Sequence, residues 1–138
     1  MVLKNCELVP AIKFLNGMEL RASDSRHRTK VLNLLNEAAK GLGESEIALV
    51  KEYAMLDANG DPIVSEQGNI TLKQGKVSDY HTEHARLLDE EVAISGGIHA
   101  ENIRAFGNVL KEYDGVISGD MANIYDRLME EYEKEGQS

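Results

Sequence analysis

The reading of the fold turns on residues 25–56, SRHRTKVLNLLNEAAKGLGESEIALVKEYAML. Val31, Leu34, Leu35, Ala38 and Leu42 recur at steps of three and four, the spacing that gathers apolar side chains on one helical face. Ile47, Val50 and Ala54 form a second stripe, flanked by Leu49, Tyr53 and Leu56. Gly41 and Gly43 fall between the two stripes. A glycine inside a helix costs about 1 kcal/mol relative to alanine. The stretch therefore reads as one kinked helix to about residue 56, or as two helices with a tight joint. Ser23, Asp24 and Ser25 supply N-cap chemistry at its start, after a connector at 21–24.

Working outward, Val9 to Asn16 reads as a short helix, with Pro10 in its first turn and Gly17 in the left-handed position just past its end. On the other side, Asp57-Ala58-Asn59-Gly60-Asp61-Pro62 is a turn. Ile63-Val64 and Ile70-Thr71-Leu72 flank a second turn at 66–69 and read as a small β-hairpin. Val77, Tyr80, His84, Leu87 and Leu88 stripe a helix over 77–91. Val92-Ala93-Ile94 reads as a short strand closed by Gly96-Gly97. Ile103, Phe106, Leu110 and Tyr113 mark a helix over 98–113, and Met121, Ile124, Tyr125, Leu128 and Tyr132 mark the last one, from Asp120. No internal repeat is expected. The fold class is mainly α (α+β): a long helical hairpin with a small β-hairpin and two C-terminal helices. The 138 residues are expected to form a single domain, with 133–138 as a frayed tail. The hairpin over 57–72 would stand at one end of the long helices, where it could serve as a contact element.

Apolar residues make up 42% of the chain, against disorder, and aromatics are few. Met1 to Pro10 lacks the unbroken apolar run of a signal peptide, and no stretch approaches a membrane span. With Cys6 alone no intrachain disulfide forms, and Cys6 is expected as a buried structural thiol. These features place the protein in a cytoplasm, away from membranes. The net charge of −9 is uneven: residues 1–40 carry seven Lys/Arg against four Asp/Glu, and residues 41–138 carry eight against twenty. No nucleic-acid partner is expected from such a balance.

The basic cluster Arg21, Arg26, His27, Arg28 and Lys30, at a helix start, could hold an anion or an acidic partner, including the acidic half of a second copy. It could equally form a solvated first turn with ion pairs. His81 and His84 could share a metal ion. Their i, i+3 spacing is not that of the metalloprotease helix, and His84 also sits in the apolar stripe. Asp57 to Asp61 begins like a calcium loop, but Pro62 and Gly68 stand where that loop needs Gly and Glu. No phosphate loop, nucleophile–base pair or acid–base pair is legible. The chain is read as a non-enzyme with no cofactor.

Four segments together carry a family resemblance: Ser25-Arg26-His27-Arg28-Thr29-Lys30, Leu49 through Pro62, Glu90-Glu91-Val92-Ala93-Ile94, and Tyr125-Asp126-Arg127-Leu128-Met129-Glu130. In this order they resemble an uncharacterised family of small proteins from tailed phages and prophages of Gram-positive bacteria, over residues 4–132. The family has no activity to transfer. The resemblance implies a phage gene product made in the bacterial host cytoplasm, or carried in the virion, whose partner is a phage or host protein. Two functions then stand open. One is a virion component or assembly factor, with a homo-oligomer in view. The other is an acidic inhibitor of a host nucleic-acid-binding or defence protein, with Glu130, Glu131, Glu133 and Glu135 as its first contacts.

Overall fold

The computed structural model describes residues 1–136. Its elements are β1 (Val2–Lys4), a 3-10 turn (Asn5–Glu7), α1 (Leu8–Gly17), α2 (Ala22–Tyr53), α3 (Val77–Asp89), β2 (Glu91–Ala93), a second 3-10 turn (Gly97–His99), α4 (Ala100–Glu112) and α5 (Asp120–Gly136). The mainly α reading with a small β component holds. The chain divides into two compact units. One comprises residues 1–39 and 91–138, and the other residues 40–90.

The first unit holds the apolar core. Of the sixteen buried hydrophobic residues among those described, fifteen belong to it, among them Leu3, Leu8, Leu15, Leu35, Phe106, Leu110 and Leu128. Each large aliphatic or aromatic side chain so buried contributes roughly 1.5–3 kcal/mol. α1 packs on α5, and α4 packs on α5. Gly107 sets the approach of the last two: a Cβ there would stand 2.6 Å from Cδ1 of Tyr132. Phe14 meets Tyr113 and Tyr125 edge-on, with centroids at 6.4 and 5.8 Å. The Tyr125 hydroxyl donates to the Leu110 carbonyl at 2.8 Å.

The expected strand near Val92 is present, and its partner is β1. The two run antiparallel, with Leu3 opposite Val92. The Val2 amide on the outer side of β1 donates to Oε1 of Glu131 at 2.8 Å. Glu131 is only 6% exposed. It also takes Lys134 Nζ at 3.0 Å and lies 3.1 Å from Arg127 Nη1. Arg127 in turn donates Nε to Glu7 at 2.9 Å and Nη2 to the Val2 carbonyl at 3.0 Å. Burial by itself would raise the Glu131 pKa. The Val2 amide, Lys134 and Arg127 outweigh it and hold the carboxyl at about 2, against 4.5.

Several local expectations are corrected. Of the two readings left open for this stretch the single helix holds, ending at Tyr53 instead of near residue 56, and it runs on through Gly41 and Gly43. Neither has any atom within 4 Å of where a Cβ would stand. The helix starts at Ala22, ahead of the expected caps. Ser25 spends its amide on the Arg21 carbonyl and its hydroxyl on that of Ala22. Gly17 stays within α1 instead of turning left-handed. Arg28 explains why: its guanidinium caps the carbonyls of Leu15 and Met18, so the glycine turn is not needed. Cys6 is exposed, not buried, because Leu3 and Leu8 take the inward positions on either side of it. In the expected tail, α5 continues to Gly136, and residues 137–138 lie outside the described residues.

Two measurements check this account. In urea unfolding, Gly41→Ala and Gly43→Ala should each raise stability by about 0.5–1 kcal/mol. Gly107→Ala should lower it by about 1–3 kcal/mol, because Tyr132 must move. The depressed Glu131 pKa lies below its unfolded value, so its contribution is present above about pH 5 and lost as the pH falls towards 2. Glu131→Gln should cost on the order of 2–3 kcal/mol at pH 7 and flatten the acid limb of a stability–pH curve between those limits.

Candidate functional site

The second unit is built differently. The C-terminal half of α2 and α3 lie together through an aromatic and ionic seam. Tyr80 meets Tyr53 edge-on at 6.3 Å and stacks on His84 at 5.8 Å, the rings 11° apart. His84 Nε2 lies 2.8 Å from Glu46 Oε2. Among the described residues Ala54 is the single fully buried hydrophobic of this unit.

Between the two helices the chain forms a closed ring of three short extended segments. The expected pairing of Val64 with Ile70 is present, and two further bridges, Leu56 with Pro62 and Ala54 with Leu72, complete the circuit. Three backbone bonds run head to tail. The Ile63 amide donates to the Met55 carbonyl at 2.8 Å, the Thr71 amide to Ile63 at 2.9 Å, and the Met55 amide to Thr71 at 2.8 Å. The donors stand eight residues apart. The corners repeat with them: Asp57 donates to Asp61, Ser65 to Asn69, and Lys73 closes the ring on Tyr53, at 2.7–2.8 Å. Each corner holds a glycine at positive φ: Gly60 at 81°, Gly68 at 83° and Gly75 at 78°.

This overturns the expectation of no internal repeat. Leu56-Asp57-Ala58-Asn59-Gly60-Asp61-Pro62-Ile63 and Val64-Ser65-Glu66-Gln67-Gly68-Asn69-Ile70-Thr71 are two copies, and Leu72-Lys73-Gln74-Gly75-Lys76-Val77 is a third, shorter by one residue before its glycine. What repeats is an aliphatic residue, a turn residue, glycine and a polar residue, with almost no identities. The calcium-like look of Asp57 to Asp61 is also explained. The Asp57 carboxylate accepts the amides of Asn59 at 2.8 Å and Asp61 at 3.0 Å, as an Asx turn.

The ring leaves apolar side chains in solvent. Val64 is 55% exposed and Val77 51%, with Met55, Leu56, Ile63 and Ile70 close behind. Exposed apolar residues gathered in one short segment make this ring the candidate contact surface of the second unit. The hairpin expected over 57–72, which could serve as a contact element or only as a connector, falls within this ring. Sequence reading missed the third segment because Ala54 and Leu56 continue the helical stripe.

The other expected site residues fall as follows. Arg28 is turned inward on the α1 carbonyls, and its Nε is buried without a partner. His27 Nδ1 accepts the Asn102 side-chain amide at 3.2 Å. Arg21 and Arg26 are exposed and Lys30 is half-buried, the last two one helical turn apart. His81 is exposed beside Tyr80, while His84 is occupied by Glu46. Among the described residues no three His, Cys, Asp or Glu side chains gather as a ligand set, and no helix is long and apolar enough to cross a membrane. A hollow of about 750 Å³ lies in the first unit over Ile94, Ile103 and Tyr132. Its charged walls are partly spoken for: Arg104 pairs with Glu101, and the Met1 amine with Glu135.

The fold and the ring define a mainly helical α+β protein whose most distinctive surface is an uncovered apolar tip. The chain belongs to the family described as Protein of unknown function (DUF1617), whose model matches residues 2–138. No curated protein and no solved structure matches it.

The ring's dependence on its corners can be measured. Gly68→Ala places a Cβ at φ 83° and should destabilise the second unit by about 1–2 kcal/mol. Hydrogen exchange at the amides of Met55, Ile63 and Thr71 should speed up together, with little change at Leu110 or Leu128.

Proposed function

We propose that this chain is a phage-encoded, non-enzymatic protein acting through protein–protein contacts, as a virion component or an assembly factor in the host cytoplasm, and that the apolar tip of the second unit is its contact surface. The observation that carries the reading is the contrast between the units. Among the described residues the first buries fifteen hydrophobic residues and leaves Val2, Val9, Ile98 and Val116 exposed at separate points of its chain, while the second buries only Ala54 and leaves Ile47, Met55, Leu56, Ile63, Val64, Ile70 and Val77 more than a third exposed, six of them within residues 55–77. Such residues lower the free energy of an assembly far more than that of the isolated chain. The phage setting is supported by the resemblance carried in residues 25–30, 49–62, 90–94 and 125–130.

The acidic-inhibitor reading has less support. Of its four first contacts, Glu131 is buried under Val2, Arg127 and Lys134, and Glu135 is paired with the Met1 amine. Glu130 and Glu133 remain exposed.

The test is affinity capture of tagged protein from phage-infected cells at low and high salt, with Val64→Asp as the control. Capsid or tail proteins should be recovered in both salts by the native chain and lost with the variant. A host nucleic-acid-binding protein that washes off in salt, and that the variant still captures, would replace this reading with the inhibitor.

A further inference from the structure

We infer that the occupant of the tip is the tip of a second copy of this chain, docked across a two-fold axis. This rests on the reading of the tip as a contact surface. The argument comes from the charges at the three corners. The first corner carries Asp57 and Asp61, the second Glu66, and the third Lys73 and Lys76, all exposed. Lys73 Nζ reaches the Glu52 carbonyl at 3.1 Å and Lys76 stands 3.6 Å from Asp79. Both are solvent-exposed contacts that leave the ammonium charges available to a partner.

A partner surface of one sign fits this arrangement poorly. A basic surface would suit the first two corners and be repelled by the lysine corner, and an acidic surface would meet the reverse. The fitting partner is mixed in sign, with opposite charges set about an apolar centre. The tip itself has that pattern. Homodimer contacts of the commonest kind are isologous, each patch meeting its own counterpart in reverse. A two-fold axis passing through the second corner lays the aspartate corner of one copy on the lysine corner of the other, twice. The apolar side chains meet between them. One like-charged pair, Glu66 with its own counterpart, falls at the rim, where water screens it. The contact engages only the second unit's ring and its three corners, so the dimer is expected to be reversible and its association to depend on concentration.

The experiment is sedimentation equilibrium of the full chain from micromolar to near-millimolar concentration, with folding of each variant checked by circular dichroism. The native chain should show a monomer–dimer equilibrium, and Val64→Asp should weaken it at least about tenfold. Asp61→Lys and Lys76→Asp should each weaken it alone. An equimolar mixture of those two should associate more tightly than either, because every corner of the mixed dimer again faces its opposite. A monomer at all concentrations, a dimer indifferent to Val64→Asp, or a mixture no tighter than its components would each overturn the inference. If the chain is monomeric while Val64→Asp still abolishes capture of phage proteins, the contact-surface reading stands and the occupant is a different protein.

Discussion

The carboxylate of Glu131 is the fixed point of the first unit. A buried anion is costly unless its charge is matched and its lone pairs are filled, and here the Val2 amide and Lys134 hydrogen-bond the carboxylate while Arg127 sets a second positive charge beside it. The consequence is positional. β1 has three residues, too few to hold a register by itself. Through the Val2 amide and the Arg127 contacts to Val2 and Glu7, that strand is tied to α5. β2 then has a fixed edge to pair with, and α4 follows it after the short 3-10 turn at Gly97–His99. A chain start and a last helix more than a hundred residues apart in sequence become one element of structure. In this light the Tyr125 to Glu130 segment of the family resemblance has a physical role: Arg127 and Tyr125 both fasten α5 to its neighbours.

The second unit works without such a core. Its organising constraint is backbone hydrogen bonding, satisfied internally by a ring in which each segment gives to one neighbour and receives from the other. That arrangement leaves no free edge among the three central amides and carbonyls, so the segments are held in place with little side-chain burial. The hydrophobic side chains are thereby released from structural duty. Residues that would elsewhere be needed to hold the fold can here be spent on an external surface.

How much of this was legible in the sequence follows the physics of each element. The helices over α2, α3, α4 and α5 were readable because each carries a full apolar stripe over several turns. The turn at Asp57 to Pro62 and the Val64–Ile70 pairing were readable from glycine and asparagine chemistry. The β1–β2 pair was legible only in its second strand, near Val92, since β1 is three residues long and has no periodicity to display. The continuity of α2 through Gly41 and Gly43 was left open because propensity alone cannot weigh two glycines against thirty other residues. Among the site residues, Arg28 looked like one more cation in a basic cluster. Its role depends on where the end of α1 lies, and that is a tertiary fact. Glu131 looked like one more surface acid for the same reason. The octad repeat was hidden because its copies share residue classes and φ signs, with hardly any identities.

The closure of the ring between Tyr53 and Lys73 has one further consequence. The chain enters and leaves the tip at hydrogen-bonded neighbours, 2.8 Å apart across that bond, with Lys73 Nζ adding a contact to the Glu52 carbonyl at 3.1 Å, so the tip joins the helices on either side through one short junction. The third copy is already one residue shorter than the others, and its corner still closes through Gly75. Length differences at the corners are thus absorbed in solvent. The tip is a cassette whose outline can diverge while its socket on the helix pair stays the same, so a lineage carrying this fold can reshape the exposed ring without refolding what holds it.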